Sequence, residues 1–444
     1  MKIKKLLFLF FVFLPFLSNG QNNIDFTQYK LKNGLDVILH QDNSSPVVAV
    51  NIMYHVGSKN EDPERTGFAH FFEHLMFEGT EHIERGELDK LIQNAGGNNN
   101  AFTTQDITSY FEVLPSNQLK LALWIESERL RSLVIDSTGV ETQRKVVKEE
   151  RKARYENQPY GGFWQELFSR AFTKHPYSWV PIGYVQYIDQ ARIEEFRKFH
   201  NHFYVPENAV LVVAGDIDIK ETKKLIKAYF GDIASGEHDI YRPQIEEPRQ
   251  TSEIRDTVFD NIQLPAVFKA YHMPAEGTND YYALDVLSNV LAGGKSSRLY
   301  KQLVDEKEIA VQTSAFAYGL EDAGLFVLYG IANFGVDADK IENAIEQEIN
   351  RIIDEGITDK EFQKVKNQIE NDFYTSNSTM EGIALSLAEY HTLYDDASLI
   401  NTEIERYMNV TKEEIEKVAQ KYLVDENRVV LYYLPKQEQT AQNN

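Results

Sequence analysis

The string His70-Phe71-Phe72-Glu73-His74 carries the most chemistry in this sequence. Its surroundings, GFAHFFEHLMFEGT, have the apolar spacing of a helix over 67–77. Residues four apart on a helix share one face, about 6 Å apart along the axis. Two imidazoles so placed can converge on one zinc ion at about 2.0–2.1 Å. Glu73 borders the same face, one residue before His74, so it stands beside the metal without being a ligand. Zinc supplies charge and acidifies its water, and Glu73 can take the proton as that water attacks a carbonyl. With 11 His in 444 residues, H-x-x-E-H arises by chance in roughly 0.03 of such chains. The competing reading, a helix with two polar face residues, fares poorly. Phe68, Phe71, Phe72, Leu75 and Phe77 bury much of the helix, and buried imidazoles need partners.

Catalytic zinc keeps three protein ligands and one open position. Cysteine is absent, so the third ligand is His or a carboxylate. Residues 141–151 (ETQRKVVKEER) read as a charged helix with Val146 and Val147 inward. Only one of Glu149 and Glu150 can point at the metal, because helix neighbours diverge by about 100°. Spacing alone does not choose between them. His55, His175, His200 and His202 stand singly at strand or helix ends or in a loop, and none is assigned to the metal.

The elements that must position these residues form an α+β chain. Strand patterns appear at 35–40, 47–56, 109–114 and 209–214, and helical ones at 67–77, 84–95, 119–130 and 138–155. Strands and helices mix without strict alternation. Residues 194–212 (EEFRKFHNHFYVPENAVLV) match 413–431 (EEIEKVAQKYLVDENRVVL) at a constant offset of 219. The expected organisation is therefore two homologous domains, 21–235 and 257–444. The polar, unperiodic linker 236–256 separates them. The stretch LDVLSNVLAGG at 284–294 lacks histidine, so one zinc per chain is expected, in the first domain. Residues 1–20 read as a signal peptide: Lys2, Lys4 and Lys5, an apolar run over 6–17 too short to span a bilayer, then Ser18-Asn19-Gly20. An uncleaved anchor is the competing reading. Lys plus Arg is 46 against 68 Asp plus Glu, a net charge of −22. That excess of acid argues against nucleic acid as a partner, and the mean hydropathy of −0.43 argues against a polytopic membrane protein. Neither a phosphate-binding loop nor a dinucleotide fingerprint is present.

Taken together, these motifs resemble the pitrilysin-type zinc peptidases, whose inverted H-x-x-E-H motif precedes a ligating Glu by about 75 residues. The likeness runs through GGNNNAFTTQDITSYFEVLP at 96–115, VVKEE at 146–150, FYVPENAVLVVAGD at 203–216 and GGKSSRLYKQLVDEK at 293–307. It implies Glu150 as third ligand. A second acid commonly stands seven residues earlier, hydrogen-bonded near the metal; here that position is Gln143. The size is similar to the short members, such as mitochondrial processing peptidase subunits and bacterial relatives. In these, each domain is a mainly antiparallel sheet backed by helices, and two chains close around a peptide chamber. The resemblance also implies that 98–104, with Asn98, Asn100, Ala101, Phe102 and Thr103, is an edge strand that pairs with extended substrate.

Together with the signal, the resemblance implies export to a bacterial periplasm. Family members grip substrate with an Arg and a Tyr seven residues apart in the domain lacking zinc. In the matching string 303–311 (LVDEKEIAV) those positions are Val304 and Val311. The expectation is thus a zinc endopeptidase acting on unfolded or short peptides, paired in a heterodimer with a homologous chain that supplies the Arg and Tyr. A homodimer using other donors is the lesser expectation. A non-catalytic core or scaffold subunit of the same fold is the alternative function.

Overall fold

The computed structural model describes residues 23–436, so the expected signal at 1–20 lies outside the described residues. Among the described residues, eleven strands form two sheets. The first has the order β1-β2-β6-β3-β5-β4. Its strands are β1 (Thr27–Lys30), β2 (Asp36–Gln41), β3 (Val47–Tyr54), β4 (Asn98–Thr103), β5 (Thr108–Pro115) and β6 (Ala209–Gly215). The second has the order β7-β11-β8-β10-β9. It is built from β7 (Ile254–Asp260), β8 (Ala266–Pro274), β9 (Ala310–Tyr318), β10 (Ala323–Ala332) and β11 (Arg428–Pro435). Each sheet has one parallel pair, β2 with β6 and β7 with β11, and is otherwise antiparallel.

The repeat extends well beyond the matched strings. The offset of 219 carries Val47 of β3 onto Ala266 of β8, and Ala209 of β6 onto Arg428 of β11. It also carries the helix Ile193–Phe203 onto Lys412–Tyr422. With β1 set aside, the two strand orders and pairing directions are the same. The chain is α+β with two homologous sheet-and-helix halves, as expected. β7 begins at Ile254, inside the stretch read as linker; 236–253 carries no helix or strand.

Every residue of β6 is buried. A near-continuous apolar strand such as AVLVVAG needs cover on both faces of its sheet. Part of that cover comes from the other half. The helix Met380–Tyr394 lays Ile383, Ala384, Leu387 and Ala388 on the first sheet, against Ile38, Ala49, Val210 and Val212. In return the helix Phe163–Ala171 packs on β8 and β11, with Phe163 stacked on Phe268 at 4.8 Å. The offset of 219 maps 163–171 onto 382–390, so the exchange follows the repeat. Burying a Leu or Phe side chain contributes roughly 1.5–3 kcal/mol, so each half stabilises the other.

Two local expectations are corrected. The helix read over 84–95 spans only Leu88–Asn94, because Gly86 takes a positive φ of 74° and interrupts it. Val146 is 43% exposed while Val147 is buried; the 100° between helix neighbours lets only one reach the core. Among the described residues, no helix is long and apolar enough to cross a membrane.

Candidate metal centre

The helix Phe68–Leu75 presents its aromatic side to Ile193–Phe203. Phe68 stacks on Phe196 at 4.6 Å and Phe72 on Phe199 at 5.5 Å. That burial turns His70, Glu73 and His74 away from the aromatic contact. The helix starts at Gly67, whose φ is 99° and where a Cβ would meet the Ile182 carbonyl at 2.9 Å. Glu61 caps this end, accepting from Gly67 N and Ala69 N, each at 2.8 Å, and from Trp179 Nε1 at 3.1 Å. Burial pushes the Glu61 carboxyl up to about 8, although the Ala69, Gly67 and Trp179 hydrogen bonds pull the other way.

The helix Ser137–Arg151 runs alongside and ends in a wide π turn at Lys152–Glu156. It brings Glu150 to the two histidines and leaves Glu149 exposed. One Glu150 oxygen, Oε2, lies 3.0 Å from His74 Nε2 and 3.5 Å from His70 Nε2. Burial raises the Glu150 pKa, but the hydrogen bonds to His70 and His74 outweigh it and hold the carboxyl well below its usual range. The other oxygen, Oε1, is 2.9 Å from the guanidinium of Arg154, a side chain 73% exposed.

The donor set fits zinc. Ligands at about 2.0–2.1 Å in a tetrahedron stand about 3.3 Å from one another, and 3.0 and 3.5 Å bracket that edge. The chosen atoms of His70, His74 and Glu150 all lie within 4.8 Å of one another, and among the described residues no other such group occurs. Among the described residues, none hydrogen-bonds the buried His70 Nδ1.

Glu73 is held by the neighbouring sheet edge. Thr103 Oγ1 donates to Glu73 Oε2 at 2.7 Å. β4 is the last strand of its sheet and, among the described residues, pairs only with β5. Along it Asn98 and Asn100 are exposed, and Ala101, Phe102 and Thr103 are half-buried. The Asn100 side chain accepts from Ala101 N at 2.9 Å, and Phe102 lies against Phe111. Gln143, two turns before Glu150, donates to Glu78 Oε1 at 2.6 Å, and Glu78 in turn pairs with Arg85.

Arg154, Glu78 and the contact of Thr103 with Glu73 are absent from the sequence reading. Arg154 had a usable signal, its i,i+4 spacing to Glu150. The other two join segments far apart in the chain. His55 and His175, not assigned to the metal, pair with Glu321 and Asp322. Val311, 49% exposed, is the second residue of the edge strand β9, and Val304 is half-buried against the second core.

A His–His–Glu group on one helix pair, with a carboxylate beside it and a repeated sheet-and-helix half, is the arrangement of an inverted-motif metallopeptidase. The chain belongs to peptidase family M16. Residues 36–178 match its domain described as "Insulinase (Peptidase family M16)", and 191–369 match "Peptidase M16 inactive domain". The chain is 32% identical to "Zinc protease PqqE" of Helicobacter pylori, over 91% of this chain and 92% of that one. It is 25% identical to a probable mitochondrial-processing peptidase subunit beta of Arabidopsis thaliana, covering 89% of this chain and 76% of that one. A crystal structure of a protease from Helicobacter pylori superposes with a TM-score of 0.89 at 31% identity, covering 93% of this chain and all of that one.

Proposed function

We propose that this protein is a zinc endopeptidase that hydrolyses unfolded or short peptides, with one zinc per chain held by His70, His74 and Glu150. The observation that carries this is the convergence of both Nε2 atoms on Glu150 Oε2, at 3.0 and 3.5 Å, beside Glu73. A zinc ion bound there supplies a Lewis acid for the substrate carbonyl and acidifies a water. Glu73 acts as general base. Thr103 fixes its Oε2, which leaves Oε1 to receive the water proton and pass it to the leaving amine. The unpaired edge of β4 offers backbone groups to an extended peptide, with Asn98, Asn100, Ala101, Phe102 and Thr103 along it. Gln143 takes the place of an acid near the metal, and through Glu78 it ties the ligand helix Ser137–Arg151 to the segment that follows the His70 helix.

The second half has Val304 and Val311 where the family resemblance implies an Arg and a Tyr. Neither side chain can hydrogen-bond a substrate carbonyl or a developing oxyanion. We therefore assign the chain as the catalytic subunit of a heterodimer whose homologous partner supplies that pair, exported to a bacterial periplasm. Glu73→Gln tests the chemistry: zinc stays bound, and peptide hydrolysis falls by roughly 10²–10⁴ or more. Near-normal turnover in that variant removes Glu73 as base.

A further inference from the structure

Lys59 is 3% exposed, and its ammonium is shared by both halves. It lies 2.9 Å from Asp106 Oδ1 in the first half. It also lies 2.5 Å from Glu321 Oε2 and 3.1 Å from Asp322 Oδ2, on the turn joining β9 to β10. The ammonium therefore has three carboxylate partners and donates hydrogen bonds to those of Glu321 and Asp322. More bonds cross the same seam. Glu321 N donates to Asp106 Oδ2 at 3.1 Å, and Asp322 N to the Tyr177 hydroxyl at 3.1 Å. Tyr177 in turn donates to Asp106 Oδ1 at 2.6 Å, and Tyr318 Oη to Gln105 Oε1 at 3.1 Å.

The first-half side of this cluster is tied directly to the site. Ser58 N donates to the Thr104 carbonyl at 3.1 Å and Lys59 N to the Gln105 carbonyl at 2.9 Å, which stitches two loops together. One loop leads within two residues to Glu61, the cap of the metal helix. The other is the β4–β5 turn, which begins directly after Thr103, the donor to Glu73. A buried ammonium stripped of its partners is strongly unfavourable, so the turn carrying Glu321 and Asp322 holds both loops in one arrangement.

We propose that the second half positions the general base. Glu321 and Asp322 fix Lys59 and Asp106, and these set the β4–β5 turn so that the Thr103 hydroxyl meets Glu73. Lys59 and Glu321 are positioning residues, and the inference rests on Glu73 as base.

The test is a double-mutant cycle on the active assembly, with zinc content read in every variant. Thr103→Val removes the last link and lowers kcat roughly ten- to hundredfold, as losing a hydrogen bond to a charged group does. Glu321→Gln lowers kcat by about threefold or more, with KM and zinc content little changed. The double variant matches Thr103→Val within about twofold, whereas independent sites multiply. Amide exchange in Glu321→Gln quickens over 98–107 and stays unchanged over 137–151. Multiplying effects, or no change over 98–107, overturn the proposal. Should Glu321→Gln fail to fold, the more exposed Asp322→Asn closes the same cycle. Glu73→Gln runs alongside: turnover in that variant sinks the base assignment, whereas an inactive Glu73→Gln with a multiplying cycle sinks only the link between halves.

Discussion

Glu149 and Glu150 are neighbours along the chain, and the geometry around His70 and His74 tells them apart. Glu150 Oε2 is 3.0 and 3.5 Å from the two histidine Nε2 atoms, whereas Glu149 is exposed on the diverging face. Glu150→Gln replaces the anionic donor of a three-residue set with a neutral amide of the same size. Losing an outer partner of a metal ligand typically weakens affinity 10–100-fold, so losing the ligand's own charge should exceed about 100-fold. Glu149→Gln removes a solvated surface charge, and surface changes of that kind stay within about 0.5 kcal/mol, or roughly twofold. The assay is competition for zinc against a chelator of known affinity, followed by metal analysis after gel filtration, with circular dichroism to confirm the fold. Equal affinities in the two variants would refute the donor set, and a loss confined to Glu149→Gln would show that the helix is rotated by one residue.

The chain purified alone should bind about one zinc yet cleave peptides poorly. Adding a homologous chain with Arg and Tyr at the positions of Val304 and Val311 should raise turnover by orders of magnitude at constant zinc; full activity from the single chain rules out the heterodimer. Leu387→Ala, at a fully buried position on the exchanged helix, should cost about 2–5 kcal/mol and lower one cooperative calorimetric transition; two resolved transitions would show that the halves unfold independently. Burial, reinforced by the charges of Glu389 and Glu403 and opposed by the Tyr394 hydroxyl, pushes Glu276 up to about 8. The native state then keeps a proton that the unfolded chain releases from about pH 4.5, so this group's contribution to stability falls as pH rises from there to about 8. Glu276→Gln should flatten that fall in urea titrations at pH 5 and pH 8, and an unchanged pH slope refutes the assignment.

How much of this was legible depended on range along the chain. His70, Glu73 and His74 lie on one helical turn, so periodicity alone put them on one face. The repeat was legible because strand β6 and the helix before it kept their register with β11 and its helix over 219 residues. Which of Glu149 and Glu150 faces the two histidines was not legible from spacing; it depends on which way the helix Ser137–Arg151 turns against its neighbour, and Val147 takes the core in place of Val146. The contact between Thr103 and Glu73 had no sequence signal at all. It needs β4 to pair with β5 in one register, Thr103 opposite Thr108, and a strand edge gives no local hint of what lies beyond it. Gly86 was visible as a residue, but only its positive φ shows that it delays the start of the helix to Leu88.

The duplication also explains why a half without a metal group is retained. Each sheet buries apolar strands on both faces, and each relies on a helix from the other half to do so. Deleting the second half would strip Ile38, Ala49, Val210 and Val212 of the helix Met380–Tyr394 and expose a sheet face built for burial. The same deletion would leave Lys59 buried beside Asp106 without Glu321 and Asp322. One consequence is thermodynamic: apolar area and an ion network must both be re-solvated. The other falls on the site, because the loops that lose support are those that cap the metal helix through Glu61 and end β4 at Thr103. With Glu73 as the proposed base, the contacts that bind the second half to the first are also those that would hold the base in place, and the histidines could be absent from one copy without releasing that copy from its structural role.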